Sequence, residues 1–251
     1  MTNLYSLLSN EAKNLDFLTF GGVDIEITLK TYSSHYQKYT DWIAAGYAGE
    51  MHYLIKRQIT REDPRKLFPE AKSIFCVAEK YSASEIAPNI SQHKPYPKYA
   101  RYLRGEDYHV RIKKKLEILM HNVTQSWNAN HITPLKWKIC IDTSALLERS
   151  WAMFAGLGWI GKNTILIHPK SGSFFLLAAV LINKPLELNP KPLPNYCGNC
   201  NRCITSCPTQ AFVEKNILDA RKCISYLTLE KKSSHDDYKN NSGTWIAGCD
   251  I

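Results

Sequence analysis

A run of four cysteines carries the clearest chemical signal in the sequence. Cys197, Cys200, Cys203 and Cys207 follow the spacing C-x2-C-x2-C-x3-C, and a proline comes directly after the last of them. In bacterial ferredoxins this run gives three thiolates to one cubane and sends the fourth to a second cluster. A zinc site more often uses paired C-x2-C knuckles separated by a dozen or more residues. The spacing therefore favours a two-cluster 4Fe-4S module over zinc.

Two further cysteines lie downstream of this run, and they leave both clusters incomplete. Together with Cys207, Cys223 and Cys249 provide three ligands for a second cluster, and the first cluster also has three. A cubane held by cysteines needs four, so we expect either a ligand of another type or a C-terminal truncation, and we favour truncation. We expect the other two cysteines, Cys76 and Cys140, to be buried apolar residues.

A glycine-rich segment, GLGWIGKN at residues 156–163, matches two nucleotide-binding patterns by letter. Both patterns require a strand before the glycines and a helix after them, so that the helix N-terminus faces phosphate. Here the order is reversed, since a helix is predicted at 144–154 and a strand at 163–169. Asn163 also replaces the hydroxyl that would bind Mg²⁺. We therefore expect a loop that approaches a ligand closely, with Lys162 available for an anion.

Asp142 is the candidate acid, because it follows an apolar strand predicted at residues 135–141. A carboxyl at the C-terminal end of a strand often faces a site. Aspartate is also a common N-cap, so a structural role at the start of the next helix remains open. The polar segment 101–109 (RYLRGEDYH) has the same two interpretations, a solvated helix start or a cluster that contacts a ligand. Arg61 is ambiguous in the same way.

The surrounding pattern predicts an α/β (α+β) core followed by a small second unit. Periodicity predicts helices at 4–15, 35–45 and 107–127, and strands at 16–23, 73–81 and 173–182, of which 73–81 is central. Four prolines within 183–195 mark a linker. We therefore divide the chain into a core over 1–185 and a ferredoxin-type module over 186–251.

Composition and charge narrow the class of partner. The chain has 251 residues and a formal net charge of +9, which favours a polyanion such as nucleic acid, although a merely basic surface is the alternative. No apolar stretch is long enough to cross a membrane, and the N-terminus lacks the features of a signal peptide. We therefore expect a cytoplasmic protein without a membrane partner.

Several segments together resemble one family, the epoxyqueuosine reductases. The resemblance spans nearly the whole chain, and the block at 142–163 is more specific than the cysteine run. The matching segments are RGEDYH at 104–109, IDTSALLERSWAMFAGLGWIGKNTIL at 141–166, GSFFLL at 172–177, CGNCNRCITSCPTQAF at 197–212, LDARKCISYLTLE at 218–230 and GCD at 248–250.

The resemblance implies a cobalamin-dependent enzyme with two 4Fe-4S clusters that reduces epoxyqueuosine to queuosine in the anticodon loop of tRNA. It implies an α/β cobalamin-binding core, a ferredoxin-like module and often a helical-repeat tail, which this sequence does not contain. Asp142 would protonate the epoxide oxygen, provided that burial raises its pKa. The residues that would line or touch cobalamin are Arg61, Ala100, Asp142, Leu166, Leu177 and Ser225. The cluster ligands would be Cys197, Cys200 and Cys203 for the first, and Cys207, Cys223 and Cys249 for the second.

The implied partners are tRNA and an electron donor that the sequence does not identify, and we expect a monomer. Lysines and arginines within 94–111 and 215–232 are the candidate phosphate contacts. The alternatives are a reductive-dehalogenase-like corrinoid enzyme, a two-cluster electron-transfer protein and a zinc-stabilised nucleic-acid-binding module. An electron carrier would need only the C-terminal third of the chain.

Overall fold

The computed structural model describes residues 3–81, 97–188, 190–232 and 243–251. The helices are α1 (Leu4–Asn14), α2 (Ile25–Ala44), α3 (His52–Lys56), α4 (Tyr108–Asn128), α5 (Glu148–Phe154), α6 (Arg202–Thr205) and α7 (Ile224–Leu229). The strands are β1 (Thr19–Asp24), β2 (Ser73–Lys80), β3 (Lys98–Tyr99), β4 (Trp137–Cys140), β5 (Trp159–Ile160), β6 (Leu166–Ile167), β7 (Phe175–Ile182), β8 (Phe212–Glu214), β9 (Ile217–Leu218) and β10 (Trp245–Ala247).

The main sheet has four strands in the order β1-β2-β7-β4, and every neighbouring pair is antiparallel. Seven of the eight residues of β2 are buried, which fits a strand covered on both faces rather than one that alternates between core and solvent. The prediction that residues 73–81 form a central strand is therefore confirmed.

Helices cover the sheet on both faces and give the core two halves. Phe75 and Val77 of β2 belong to the half that includes α1 and α4. The alternate residues, Ile74 and Cys76, belong to the half that includes α2 and α5. The buried side chains of α4 recur at helical spacing, which is why the sequence predicted this helix well: Ile112, Leu116, Leu119, Met120 and Val123.

Three predicted elements differ in the structure. Helix α2 begins at Ile25 rather than near residue 35. Ile25 and Tyr32 are buried along its first half, and Leu29 and Tyr36 pack against the same core at helical spacing, a signal that the sequence analysis missed. The strand predicted at 163–169 is reduced to the two residues of β6, which pair with β5 in a short hairpin. The helix predicted at 144–154 begins only at Glu148.

The C-terminal segment folds back onto the core. The Trp42 indole N–H donates to the Leu218 carbonyl at 2.6 Å, and the Glu50 amide donates to the Tyr226 hydroxyl at 2.8 Å. Strand β10 pairs in parallel with β3. The division at residues 185 and 186 stays a prediction, but the two units share an extensive hydrogen-bonded boundary.

The two isolated cysteines are buried, as expected. Cys76 and Cys140 lie in the core half that contains α5, and burial raises the pKa of the Cys140 thiol to about 11. Among the helices of the described ranges, none combines the length and apolar composition that a membrane-spanning segment requires.

The packing of β1 against the end of α5 gives a stability prediction. A Cβ on Gly21 would lie 2.1 Å from the Ala155 carbonyl oxygen, whereas one on Gly22 would meet only the flexible end of Leu186 at 2.5 Å. Because backbone gives way less easily than a side chain, Gly21→Ala should lower the free energy of unfolding by about 1–3 kcal/mol, and more than Gly22→Ala does. Urea unfolding of both variants measures this, and equal stabilities would contradict it.

Candidate functional site

Asp142 lies in a turn between β4 and α5, with a left-handed φ of 46° that aspartate tolerates better than most residues do. The N-cap of α5 is Leu147, so the capping alternative for Asp142 is wrong. The Asp142 side chain is 59% exposed. The burial that would make it an acid near neutral pH is therefore not supplied by the chain alone and would have to come from a bound molecule.

The Glu148 carboxyl stabilises this turn through a hydrogen bond. Its Oε1 accepts the backbone N–H of Asp142 at 2.7 Å. Burial raises the pKa of Glu148 to about 8. The hydrogen bond from the Asp142 N–H and the charges of Arg149 and Arg61 lower this pKa, whereas the negative charge of Asp142 raises it further. Sequence reasoning missed Glu148, because a separation of six residues across a turn carries no periodic signal.

His109 stands between two carboxylates. Its Nε2 lies 3.3 Å from Asp142 Oδ2, and its Nδ1 lies 2.8 Å from Asp107 Oδ1. Asp107 also caps α4, so the segment is both a helix start and a polar cluster. Burial lowers the pKa of His109, but the hydrogen bonds to Asp107 and Asp142 outweigh it and the net pKa is raised. The imidazole is thus suited to hold a proton beside Asp142.

Three tyrosines complete the surroundings of Asp142. Burial raises the pKa of Tyr53 to about 12, and it also raises the pKa of Tyr102 and Tyr108, with the charge of Asp142 adding to each. The phenols therefore stay protonated and can donate hydrogen bonds. We call Asp142, His109, Tyr53, Tyr102 and Tyr108 the Asp142 cluster.

Three of the predicted cofactor-contacting residues lie near this cluster. Arg61 is buried, its carbonyl accepts from the Tyr32 hydroxyl, and its charge reaches Tyr53 and Glu148. Ala100 is buried and donates to the Ala247 carbonyl at 2.8 Å. Ser225 lies on α7, whose Thr228 hydroxyl accepts from Gly248 beside Ala100.

The two leucines are placed differently. Leu166 is fully buried on β6, and Leu177 is partly buried on β7; both pack in the core half around Trp151. Strand β7 begins beside Tyr81, whose ring lies 6.4 Å from that of Tyr102, so Leu177 belongs to a strand that starts near the Asp142 cluster. That these residues contact a cofactor stays a prediction.

The cysteines form two groups. In the first, Cys197 and Cys200 lie in the loop that leads into α6, where the Cys200 backbone N–H donates to the Cys197 carbonyl at 2.9 Å, and Cys203 lies on α6. In the second, burial raises the pKa of the Cys249 thiol and the nearby Cys223 and Cys207 add to this, while Ala211 donates its N–H to the Cys207 sulfur at 3.4 Å. Within the described ranges no three His, Cys, Asp or Glu side chains are gathered closely enough for a single metal ion. The cluster assignment therefore rests on spacing and family.

Lys162 is not available for an anion, so that prediction is wrong. Its ammonium donates to the Gly198 carbonyl at 2.7 Å, the Cys200 carbonyl at 2.8 Å and Asn201 Oδ1 at 2.9 Å. The glycine-rich segment therefore forms part of a hairpin that binds the first cysteine loop through Lys162.

Comparison with protein families matches both parts of the chain. Residues 61–143 match the family described as epoxyqueuosine reductase QueG, and residues 196–251 match the 4Fe-4S double cluster binding domain. An epoxyqueuosine reductase of Cyclobacterium marinum is 39% identical over 215 residues, which cover 85% of this chain and 67% of that protein. One of Pseudomonas aeruginosa is 34% identical, covering 95% of this chain and 64% of that protein.

Solved structures of epoxyqueuosine reductases share the fold. One with an epoxyqueuosine-modified tRNA-Tyr stem loop has a TM-score of 0.83 and 29% identity, covering 98% of this chain and 64% of that one. The Bacillus subtilis enzyme, with an aspartate-bearing catalytic loop swung out of its active site, also gives 0.83 at 28% identity, covering 98% and 63%. The chain spans about two thirds of the length of these relatives.

The raised pKa of Glu148 predicts how stability depends on pH. Because the folded-state pKa, about 8, exceeds the ordinary 4.5, the proton is held more tightly in the folded chain, and this stabilisation is lost as pH rises through 8. From about pH 5 to about pH 8, the free energy of unfolding should therefore decrease less for Glu148→Gln than for wild type, with a difference of roughly 1 kcal/mol or more.

Chemical denaturation across that pH range measures the effect. Glu117→Gln is the matched control, because the Glu117 side chain is exposed and pairs with Lys113 on the surface of α4. Parallel pH profiles for wild type and Glu148→Gln would contradict the prediction.

Proposed function

The chain belongs to the epoxyqueuosine reductase family, and from that premise we propose that it reduces epoxyqueuosine to queuosine in tRNA, using cobalamin and two 4Fe-4S clusters. The observation that carries the proposal is the Asp142 turn, in which Glu148 fixes the backbone and His109 faces the carboxyl. An electron carrier has no use for such an arrangement.

Removal of an epoxide oxygen as water takes two electrons and two protons, and the Asp142 cluster accounts for the protons. The Asp142 carboxyl delivers a proton to the epoxide oxygen, and His109, with its raised pKa, returns one to Asp142. Asp107 keeps the imidazole oriented through Nδ1. Substrate and cofactor that cover the exposed Asp142 side chain supply the burial that favours its protonated form.

The residues around Asp142 fit a large cofactor with polar side groups. The protonated phenols of Tyr102 and Tyr108 offer hydrogen-bond donors, whereas the Tyr53 hydroxyl donates to Glu230. When bound, cobalamin supplies a low-valent cobalt that reduces the substrate carbon. The residues that would hold or touch it are Arg61, Ala100, Asp142, Leu166, Leu177 and Ser225.

A feature of the module other than its thiols also fits an iron–sulfur cluster. The Trp159 indole N–H is buried and has no hydrogen-bond partner among the described residues. Its ring lies 5.1 Å from that of Tyr196, the residue before Cys197. A buried donor beside the first cysteine loop suits a sulfur-rich acceptor. The clusters supply electrons one at a time.

Several of the predicted phosphate contacts are engaged within the chain. Arg101, Arg111 and Arg221 form ion pairs with carboxylates, and Lys94 lies outside the described residues. Arg57 and Arg104 remain as exposed arginines near Asp142: Arg57 donates to the Thr143 carbonyl at 3.2 Å, and Arg104 lies on the segment that leads to His109. We place the reaction in the cytoplasm, in a monomer served by a donor still to be identified.

Asp142→Asn should lower the conversion of epoxyqueuosine by about 100-fold or more, because an amide cannot deliver the proton. Nucleoside mass analysis of tRNA treated with the complete, reconstituted protein measures this. Asp41→Asn, on the exposed face of α2, is the control. Unchanged conversion by Asp142→Asn with normal iron and cobalt content would refute the role of Asp142.

Affinity for a tRNA anticodon stem loop should fall steeply with salt, because phosphate contacts release counterions. Arg104→Gln should weaken binding and reduce the slope of log affinity against log salt by about 1. Fluorescence anisotropy at several salt concentrations tests this, with Lys13→Gln on α1 as the control. Binding that is independent of salt would count against a tRNA substrate.

A further inference from the structure

The turn of the β5–β6 hairpin is held by the cluster module from two sides. On one side the Lys162 ammonium reaches the loop of the first cysteines, as described above. On the other, Asn216 at the turn between β8 and β9 donates its backbone N–H to the Lys162 carbonyl at 3.0 Å and its side-chain amide to the Gly161 carbonyl at 2.6 Å. The hairpin is therefore the piece of the core on which the module is seated.

The charge of Lys162 is enclosed without a neighbouring carboxylate. Lys162 is only 7% exposed, and its three acceptors are two backbone carbonyls and one side-chain amide. None of the ion pairs found among the described residues includes it. Burying a cation among neutral acceptors costs free energy unless a counter-charge lies nearby. A 4Fe-4S cluster with four thiolates is such a counter-charge, because its net charge is negative.

The contacts of Lys162 also set the orientation of two peptide planes in the loop. The carbonyls of Gly198 and Cys200 turn toward the ammonium, and the chain has no cis peptide bond among its described residues. In a trans peptide the N–H points opposite to the carbonyl, so the N–H groups of Asn199 and Asn201 point away from Lys162. Such N–H groups tune a cluster when they face its sulfurs.

We propose that Lys162 is a positioning residue for the first cluster: it fixes the loop of Cys197, Cys200 and Cys203 and places a buried positive charge beside the cluster, which raises the cluster's reduction potential. The inference rests on the proposed function only in that the module holds clusters; it does not depend on the substrate. The GK pair of the glycine-rich segment thus serves electron delivery and not nucleotide binding.

Two substitutions separate the charge from the geometry. Lysine offers three donors around one nitrogen, which matches three acceptors converging on one point, whereas the planar fork of arginine does not. Lys162→Met removes both the charge and the hydrogen bonds. Lys162→Arg keeps the charge and disturbs the hydrogen bonds. Lys170→Met, at an exposed turn, is the control.

The experiment uses the complete protein, reconstituted anaerobically with iron and sulfide. Redox titration followed by electron paramagnetic resonance gives the potential of each cluster, iron analysis gives cluster retention, and hydrogen exchange of the cluster-free protein reports the order of residues 197–203. Lys162→Met should shift one cluster to a lower potential, reduce iron retention and speed exchange in 197–203. Lys162→Arg should keep the potential near that of wild type while losing retention, and Lys170→Met should change nothing.

Several results would overturn the inference. If the cluster-loaded Lys162→Met protein had wild-type potentials, iron content and hydrogen exchange, this inference would be overturned and the proposed function would stand. Equal loss of both clusters together with unfolding of the core would show that Lys162 serves general stability. Failure of wild type to take up iron would overturn this inference and the proposed function together.

Discussion

The hydrogen bonds from the Lys162 ammonium to the first cysteine loop are the constraint on which the position of that loop against the core depends. They require the β5–β6 turn to enter the module, and the glycines make that approach possible. A Cβ on Gly158 would lie 2.3 Å from the Ile167 carbonyl oxygen, so β5 and β6 could not close as they do with any larger residue there. The glycine spacing in 156–163 that resembles a phosphate-binding loop is therefore explained by the close approach of β5 and β6 in the hairpin.

One short stretch of chain carries both the proposed acid and the contact to the first cysteine loop. Asp142 lies in the turn before α5, Glu148 is the first residue of α5, and Lys162 lies in the hairpin that follows its end. Helix α5 is rigidly packed, since Trp151 is fully buried and stacks on Tyr32 at 4.5 Å. In the function that we propose, this packed helix would fix the place of proton delivery relative to that of electron delivery.

The sequence predicted well what depends on local spacing. A stretch of about ten to twenty residues is enough to recognise the cysteine run, the buried strand β2 and the amphipathic helix α4. What it did not predict depends on distant contacts. Lys162 finds its acceptors 36 to 39 residues away, and the hairpin strands of two residues each exist only through their pairing. Glu148 acts on the backbone of Asp142, a partner that no residue pattern reveals.

We propose that this chain combines iron–sulfur clusters with a corrinoid to reduce a tRNA base. Metal, sulfide and corrinoid analysis of the complete protein, together with its anaerobic absorption spectrum, tests that claim most directly. We expect iron and sulfide at the stoichiometry of two clusters together with cobalt in a corrinoid. Iron without cobalt would instead indicate an electron carrier, and zinc alone would indicate a nucleic-acid-binding module; either result would contradict the account.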